Sequence, residues 1–362
     1  MLDETELMTS NNDTTNTDPR LISIVLPAYN EAAILKKNLD AVVTYLDGLP
    51  ERYDWEVIVV NDGSADGTGE IADSYADGHP KVRAIHHKRN FGLGQALKFG
   101  MSKTRGDYIV TMDIDLSYSA DHILRLVEKL ETDHAKLVLA SPYMKGGQIS
   151  NVPWLRKFLS ISANRFLSFV AHGRLSTLTC MVRGYDGEFG RSLVTRSTGM
   201  DIMPETIYKT MILRAGISQI PAHLDWGLQV KEAGRQSSMR ILRHVFSTIL
   251  SGFIFRPFMF FIMPGLLLLG FALWVNAWML VHFFQALAAV PPDAGTDSIS
   301  WAVATAYQDY PHTFIVGLLS LMLSIQLISL GILALQSKSY FEEVYFLGAA
   351  RHRKDLTDDT VD

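Results

Sequence analysis

Gly106-Asp107-Tyr108-Ile109-Val110-Thr111-Met112-Asp113-Ile114-Asp115-Leu116-Ser117 decides the fold. Tyr108 to Met112 is an apolar, β-prone run, the pattern of a buried strand. It ends in two carboxylates one residue apart. On an extended chain, side chains at i and i+2 point the same way, so Asp113 and Asp115 are expected to face one point at the strand's carboxyl end. That end is where open α/β sheets bind ligands. Two like charges so close repel, and a divalent cation shared with a substrate phosphate relieves the repulsion, which makes Mg²⁺ or Mn²⁺ the expected ion. A solvated strand end carrying two loop aspartates is the plainer alternative.

Upstream, the same strand-then-polar-loop unit repeats. Leu21 to Leu26 is an apolar and β-branched run interrupted only by Ser23, and it is broken by Pro27-Ala28-Tyr29-Asn30-Glu31. Ala32 to Leu46 has helical spacing. Trp55 to Val60 is a second strand, ending in Asn61-Asp62-Gly63-Ser64-Ala65-Asp66-Gly67-Thr68 before a helix from Gly69 to Ala76. Val82 to His86 is a third, and Asn90-Phe91-Gly92-Leu93-Gly94 opens a helix that runs to Lys103. Strand alternating with helix predicts a mostly parallel sheet, with Tyr29, Glu31, Asp62, Asp113 and Asp115 along one edge. A dinucleotide fingerprint at Gly92 and Gly94 fails, because Leu97 stands at the third glycine position.

Downstream, a helix is expected over Asp121–Leu130 and a strand over Lys136–Ala140. An amphipathic helix from Trp154 to Val170 carries Arg156, Lys157 and Arg165. A helix over Ile202–Ala215 and a short strand over Gln219–His223 follow. Arg183 comes after the apolar patch Cys180-Met181-Val182. His86, His87, His172 and His223 show no metal-ligand spacing.

Composition narrows the class. A net charge of −5 over 362 residues gives no sign of a nucleic-acid partner. Cys180 is the only cysteine, so no disulfide framework or cysteine metal site is available. Residues 1–19 are polar and read as a disordered tail. From Pro257 through Ser337 there is no Lys or Arg. Phe258 to about Phe284 and Thr313 to Leu335 each exceed the roughly 20 apolar residues that cross a bilayer. Arg235, Arg240, Arg243 and Arg256 precede the first stretch, and Lys338, Arg351, Arg353 and Lys354 follow the second. The positive-inside rule then places both termini in the cytoplasm, with the chain in the cell membrane. Trp274, Trp278, Trp301, Tyr307 and Tyr310 suit the outer interface.

The organisation expected is a tail (1–19), a cytoplasmic catalytic domain (20–239), an interfacial helix (240–256), two membrane helices joined by a short external loop (257–337) and a cytoplasmic tail (338–362).

Four motifs in order, Ile24–Glu31, Val59–Thr68, Asn90–Ala96 and Asp113–Leu116, resemble those of family 2 glycosyltransferases of the GT-A fold. The nearer resemblance is to polyprenyl-phosphate sugar synthases of the dolichyl-phosphate mannose synthase kind. It runs from about Leu21 to Met239, with a two-span tail. It implies a metal-dependent, inverting transfer of a hexose from a nucleotide diphosphate sugar, of the GDP-mannose or UDP-glucose type, to a polyprenyl or dolichyl phosphate. It implies that Pro27, Tyr29, Asn30, Glu31, Asp62 and Gly63 hold the nucleoside, with Arg235 of a basic loop near its phosphates. It implies that Asp113 and Asp115 bind the metal, with Ser117 where the family often has Gln. Pro142 stands where the family tends to have an arginine. Arg156 matches a position linked to the acceptor phosphate, and Arg183 ends a variant of the family's Thr-Ser-Gly-Phe-Arg. Without the resemblance, Arg156 is also readable as a basic residue at the membrane surface and Arg183 as half of a structural ion pair. The expected partners are the nucleotide sugar, the lipid phosphate, the bilayer, and a second copy of the chain through its spans. Two alternatives keep the fold: transfer to a glycan or lipid hydroxyl, which needs a general base, and a non-catalytic nucleotide-sugar-binding membrane protein.

Overall fold

The computed structural model describes residues 18–152, 154, 158, 160–162, 164–165, 175–225, 257–292 and 297–358. The chain divides into two compact units, one holding Met1–Asn164 and Ser176–Gln236 and the other Arg165–Leu175 and Ser237–Asp362.

The first unit is built on a seven-stranded sheet. In chain order its strands are β1 (Arg20–Ala28), β2 (Tyr53–Asn61), β3 (Val82–His86), β4 (Tyr108–Thr111), β5 (Leu137–Ser141), β7 (Arg183–Asp186) and β8 (Ile217–Pro221). In space they run β3-β2-β1-β4-β7-β5-β8, all parallel except β7. A second, two-stranded sheet pairs β6 (Gln148–Ser150) with β9 (His223–Asp225). The helices are α1 (Ala32–Asp47), α2 (Thr68–Gly78), α3 (Leu93–Ser102), α4 (His122–Asp133), α5 (Gly187–Ser192) and α6 (Ile202–Ile212).

The period of two along β1 explains the layering. Ile22, Ile24 and Leu26 join Leu35, Leu39 and Val42 of α1, Ala72 of α2 and Ile123 and Leu126 of α4 in one buried cluster. Val25 faces the other way, toward α3. A Cβ on Gly100 of α3 would come within 2.4 Å of Val25 Cγ1, so only glycine lets that helix lie so close to the sheet. Buried Glu56 ties the start of β2 to its neighbours. It accepts from Ser23 Oγ (2.6 Å), the Arg105 amide (2.8 Å) and the Arg83 and Arg105 guanidinium groups. Burial alone raises such a carboxyl; here those donors and charges outweigh it and hold Glu56 below its ordinary value.

The winding positions the site. From β1 the chain steps outward to β2 and β3, then returns to place β4 on β1's other side. The carboxyl ends of β1 and β4 therefore flank a topological switch point, the crevice where open α/β sheets take ligands.

The second unit contains α7 (Pro257–Ala288), α8 (Ser298–Asp309) and α9 (Pro311–Asp358). Within α7 and α9, Phe258–Ala288 and Pro311–Ala349 are each long and apolar enough to cross a membrane. Leu267 is 76% exposed and Leu318 66%, as lipid-facing side chains would be. Small residues let the two helices approach. A Cβ on Gly331 would lie 2.3 Å from Ile262 Cγ1, and Asn276 Nδ2 donates across to the Gly317 carbonyl at 3.1 Å. Pro264 sits inside α7 without breaking it.

The structure adds elements that the sequence leaves unassigned. The segment after Val182 is strand β7, antiparallel in the middle of the sheet. The loop between the spans contains helix α8, and α9 continues unbroken past Ser337 to Asp358. The N-terminal tail through residue 17 and the interfacial helix at 240–256 lie outside the described residues.

Candidate active site

Three loops leave the carboxyl ends of β1, β2 and β3 and are stitched into one surface. The Asn30 amide donates to Ser64 Oγ (3.0 Å), and Asn30 Oδ1 accepts from the Ala65 amide (3.0 Å). The Glu31 amide donates to Thr68 Oγ1 (2.9 Å), the Ala32 amide to Asp66 Oδ2 (3.0 Å), and the Asp62 amide to the Ala28 carbonyl (2.9 Å). Asn30 adopts a positive φ of 56° to make this turn, a conformation Asn tolerates better than most residues. Pro27 needs no amide hydrogen here, because β1 pairs with β4 only as far as Val25.

Asp62 joins the second loop to the third. Its buried carboxylate accepts from His87 Nδ1 (2.7 Å), the Phe91 amide (3.0 Å) and the Gly92 amide (2.8 Å). A carboxylate has about four acceptor positions, so about one remains for a ligand. His87 is fixed in turn by stacking on Phe99, with ring centroids 4.9 Å apart. Gly63 has φ 68°, and a Cβ there would fall 2.2 Å from the Arg89 backbone. Asn30, Asp62 and Gly63 thus shape the surface, while Tyr29 stands exposed upon it.

The aspartate pair follows β4. The strand ends at Thr111, and Asp113 to Ser117 forms a turn instead of continuing the extended chain. The Leu116 amide reaches the Asp113 carbonyl (3.3 Å), Leu116 has φ 52°, and the Ser117 amide donates to Asp115 Oδ1 (2.8 Å). The two carboxylates are neighbours because of this turn, and not through the i, i+2 alternation of an extended strand. Burial first, then the Asp115 and Glu31 carboxylates, push the Asp113 pKa up to about 7. Asp115 from the same turn and Glu31 from the β1 loop therefore both act on Asp113 at the switch point.

These residues fit a hard divalent cation. The donors are carboxylate oxygens, and among the described residues no hydrogen bond to the Asp113 carboxylate offsets the repulsion from Asp115 and Glu31. Among the described residues no set of three or more His, Cys, Asp or Glu is arranged to hold a metal ion by itself. An ion held by two carboxylates would have to complete its shell with substrate oxygens and water, which is the habit of Mg²⁺. Ser117 is buried. Its amide meets Asp115, and its carbonyl accepts from the Asp225 amide (2.9 Å), which links β9 to the aspartate turn.

Arg183 requires a correction. It is fully buried, at 0% exposure, and donates to the carbonyls of Cys180 (2.7 Å), Leu178 (2.9 Å) and Met203 (2.8 Å) and to Thr206 Oγ1 (2.8 Å). Four of its five donors are spent inside the protein, so it is a strut between β7 and α6 and not a contact for an acceptor phosphate. No carboxylate takes part in these bonds, so the ion-pair alternative also fails. Arg156 and Arg235 lie outside the described residues.

The sequence reading passed over the segment Leu193–Gly199. Glu205 of α6 accepts from the Arg196 and Ser197 amides (both 2.8 Å) and pairs with buried Lys209 (2.6 Å), which also donates to the Val194 carbonyl (2.8 Å). The segment so held presses on the Gly92–Gly94 turn. The Gly94 amide donates to the Thr198 carbonyl (2.7 Å), and a Cβ on Gly94 would come 2.4 Å from the Ser197 oxygen. The paired glycines were the legible sign that something lies against them.

The family model for glycosyl transferase family 2 matches residues 23–189, which include all three stitched loops and the aspartate turn. An undecaprenyl-phosphate mannosyltransferase of Micrococcus luteus is 31% identical over 203 residues, covering 54% of this chain and 80% of that one. The chain belongs to glycosyl transferase family 2, and its mostly parallel α/β sheet is of the GT-A kind. It is also similar to a dolichyl-phosphate beta-glucosyltransferase of Trichomonas vaginalis, 32% identical over 179 residues, covering 47% of this chain and 53% of the relative. The match thus spans about half the length of that relative, as it does for an undecaprenyl-phosphate 4-deoxy-4-formamido-L-arabinose transferase of Aeromonas hydrophila, where it covers 50%. Among solved structures, glucosyl-3-phosphoglycerate synthase from Mycobacterium tuberculosis, in complex with Mn²⁺, uridine diphosphate and phosphoglyceric acid, aligns with a TM-score of 0.48 at 22% identity. That alignment covers 64% of this chain and 78% of the other.

Proposed function

We propose that this protein transfers a hexose from a nucleotide diphosphate sugar, of the GDP-mannose or UDP-glucose type, to a polyprenyl phosphate at the cytoplasmic face of the cell membrane. The observation that carries the reading is the turn that holds Asp113 and Asp115 after β4, at the switch point between β1 and β4, with Glu31 of the β1 loop acting on Asp113. Such a site suits a polyanionic donor only if cations accompany it. Asp113 and Asp115 would hold Mg²⁺ or Mn²⁺ with the donor diphosphate, and the ion would supply charge neutralisation to the departing group. Tyr29, exposed on the stitched surface, offers a face for the nucleoside, with Pro27 and Glu31 beside it. The remaining acceptor position of Asp62 is available to one donor of the base.

An oxygen of the lipid phosphate attacks the anomeric carbon from the face opposite the leaving group. The bond from that carbon to the diphosphate oxygen breaks, the nucleoside diphosphate leaves with the electron pair, and the configuration inverts. The attacking phosphate is already anionic at neutral pH, so positioning matters more than a general base. With Arg183 committed inside the fold, Arg156 of the basic pair Arg156-Lys157 is the remaining candidate for the acceptor phosphate, and Arg235 for the donor phosphates.

The test offers radiolabelled nucleotide sugars to the protein in membranes with short polyprenyl phosphates. Label is expected to move into lipid only with a divalent cation present, and Asp115→Asn is expected to abolish transfer while the protein remains folded. Transfer to a free polyprenol or a glycan in preference to the phosphate would favour a hydroxyl acceptor. Metal-dependent binding of a nucleotide sugar without turnover would reduce the protein to a binding module. Full activity of Asp115→Asn, or of the native protein in EDTA, would remove the metal from the reading.

A further inference from the structure

Helix α8 fills much of what the sequence presents as a plain polar loop between the spans. Ala302 and Ala306 are 0% and 2% exposed and pack it against α7. Its carboxyl end is fixed to the start of α9, where the Tyr310 amide donates to the Ala306 carbonyl (3.0 Å) and the Thr313 amide to the Tyr310 carbonyl (3.1 Å). The Tyr310 ring stacks on His282 near the end of α7, with centroids 3.7 Å apart. The helix is therefore held at the ends of both membrane helices.

On the flank beside this packed face, Ile299, Val303 and Tyr307 recur at i, i+4 and i+8 and are 59%, 43% and 47% exposed. They form one stripe along the helix. The flank beyond carries Ser300, Ala304 and Gln308, and no charged side chain occurs from Ser298 through Gln308. We propose that α8 lies in the membrane–water interface, with the Ile299–Val303–Tyr307 stripe in lipid and the Ser300–Ala304–Gln308 flank in water. Lipid covers the stripe by continuity with the two spans. The exposed apolar faces of α7 and α9 need lipid, and α8 is attached where those faces end. Tyr307 on the stripe and Tyr310 at the helix end supply amphipathic rings that settle at headgroup level. The proposal rests on the two spans crossing a bilayer and is independent of the reaction catalysed.

Cys180 is the sole cysteine and is buried, so Cys180→Ala gives a cysteine-free full-length chain. Single cysteines at 299, 303 and 307, at 300, 304 and 308, and at the lipid-facing reference positions 267 and 318 are spin-labelled. The labelled proteins are reconstituted in phosphatidylcholine–phosphatidylglycerol vesicles and probed with oxygen and a water-soluble nickel chelate. Labels at 299, 303 and 307 are expected to be reached severalfold better by oxygen than by nickel, and labels at 300, 304 and 308 the reverse. Nickel access at 299, 303 and 307 with lipid-like behaviour at 267 and 318 overturns the α8 proposal alone. Nickel access at 267 and 318 as well overturns the membrane reading beneath it. Benzoylphenylalanine in place of Val303, in the chain with Cys180 intact, gives a second measurement. Photo-adducts with lipid support the proposal, and adducts with a second copy of the chain overturn it.

Discussion

At the scale of single residues, charge alone does not sort side chains open to a ligand from those that shape the surface. Asp62 and Arg183 both sit in family-like motifs and both spend most of their polar capacity on the protein. In a sequence, a lone arginine after an apolar patch reads as half of an ion pair or a phosphate contact. Its burial depends on three carbonyls brought from segments up to 20 residues away, and no local pattern announces them. Arg183→Met is therefore expected to act on folding. It leaves those carbonyls buried without donors, and each such group costs about 1–3 kcal/mol. Destabilisation by about 3 kcal/mol or more is expected in thermal or denaturant unfolding, with the KM for lipid phosphate unchanged in protein that does fold. Native-like stability with a raised KM for the lipid would return Arg183 to the acceptor side.

Whole elements show what the sequence makes legible. β1, β2 and β5 are dominated by apolar and β-branched residues, with Ser23 and Glu56 the buried polar exceptions inside β1 and β2, and their strand character follows from composition. β7 reads Arg-Gly-Tyr-Asp, which has no strand signature; its neighbours β4 and β5 impose the conformation. α8 is short and lies in a loop with Pro291, Pro292, Asp293 and Asp297, which hides it, although Asp297 caps it through the Ser300 amide (3.2 Å) and was a readable start signal. The aspartate pair was legible as chemistry, but its turn was not, because Leu116 takes a positive φ that its side chain disfavours. α3 carries a testable case. Its amino end is held from one side by Asp62 and from the other by the Leu193–Gly199 segment. Gly94→Ala puts a methyl group 2.4 Å from the Ser197 oxygen and 2.8 Å from the Thr198 carbonyl carbon, both backbone, so the turn or the segment must shift. The third of the stitched loops moves with it. A rise of about tenfold in the Kd for the nucleotide sugar is expected, equivalent to about 1.4 kcal/mol, read by titration with the acceptor absent. Unchanged donor affinity would detach this turn from the donor site.

For the whole molecule, the distribution of basic residues makes a prediction that depends on no fine geometry. Between Pro257 and Ser337 there is no Lys or Arg, while clusters flank both ends of that stretch. Placing the catalytic unit in the cytoplasm keeps every basic residue on one side and leaves only acidic and neutral residues to face outward. Trypsin cleaves only after Lys and Arg. Added outside sealed, right-side-out vesicles, it is therefore expected to leave the chain intact, and to cut it once the vesicles are opened. A protease that accepts aromatic residues provides the control, since α8 and its connections carry Trp301, Tyr307 and Tyr310. It is expected to nick the external stretch slowly, because helix packing on α7 and the interfacial setting proposed for α8 both withhold those bonds. Tryptic loss of the first 240 residues from outside sealed vesicles would reverse the orientation. It would also place the donor site on the side of the membrane away from cytoplasmic nucleotide sugars, so the proposed reaction would have to be abandoned together with the topology.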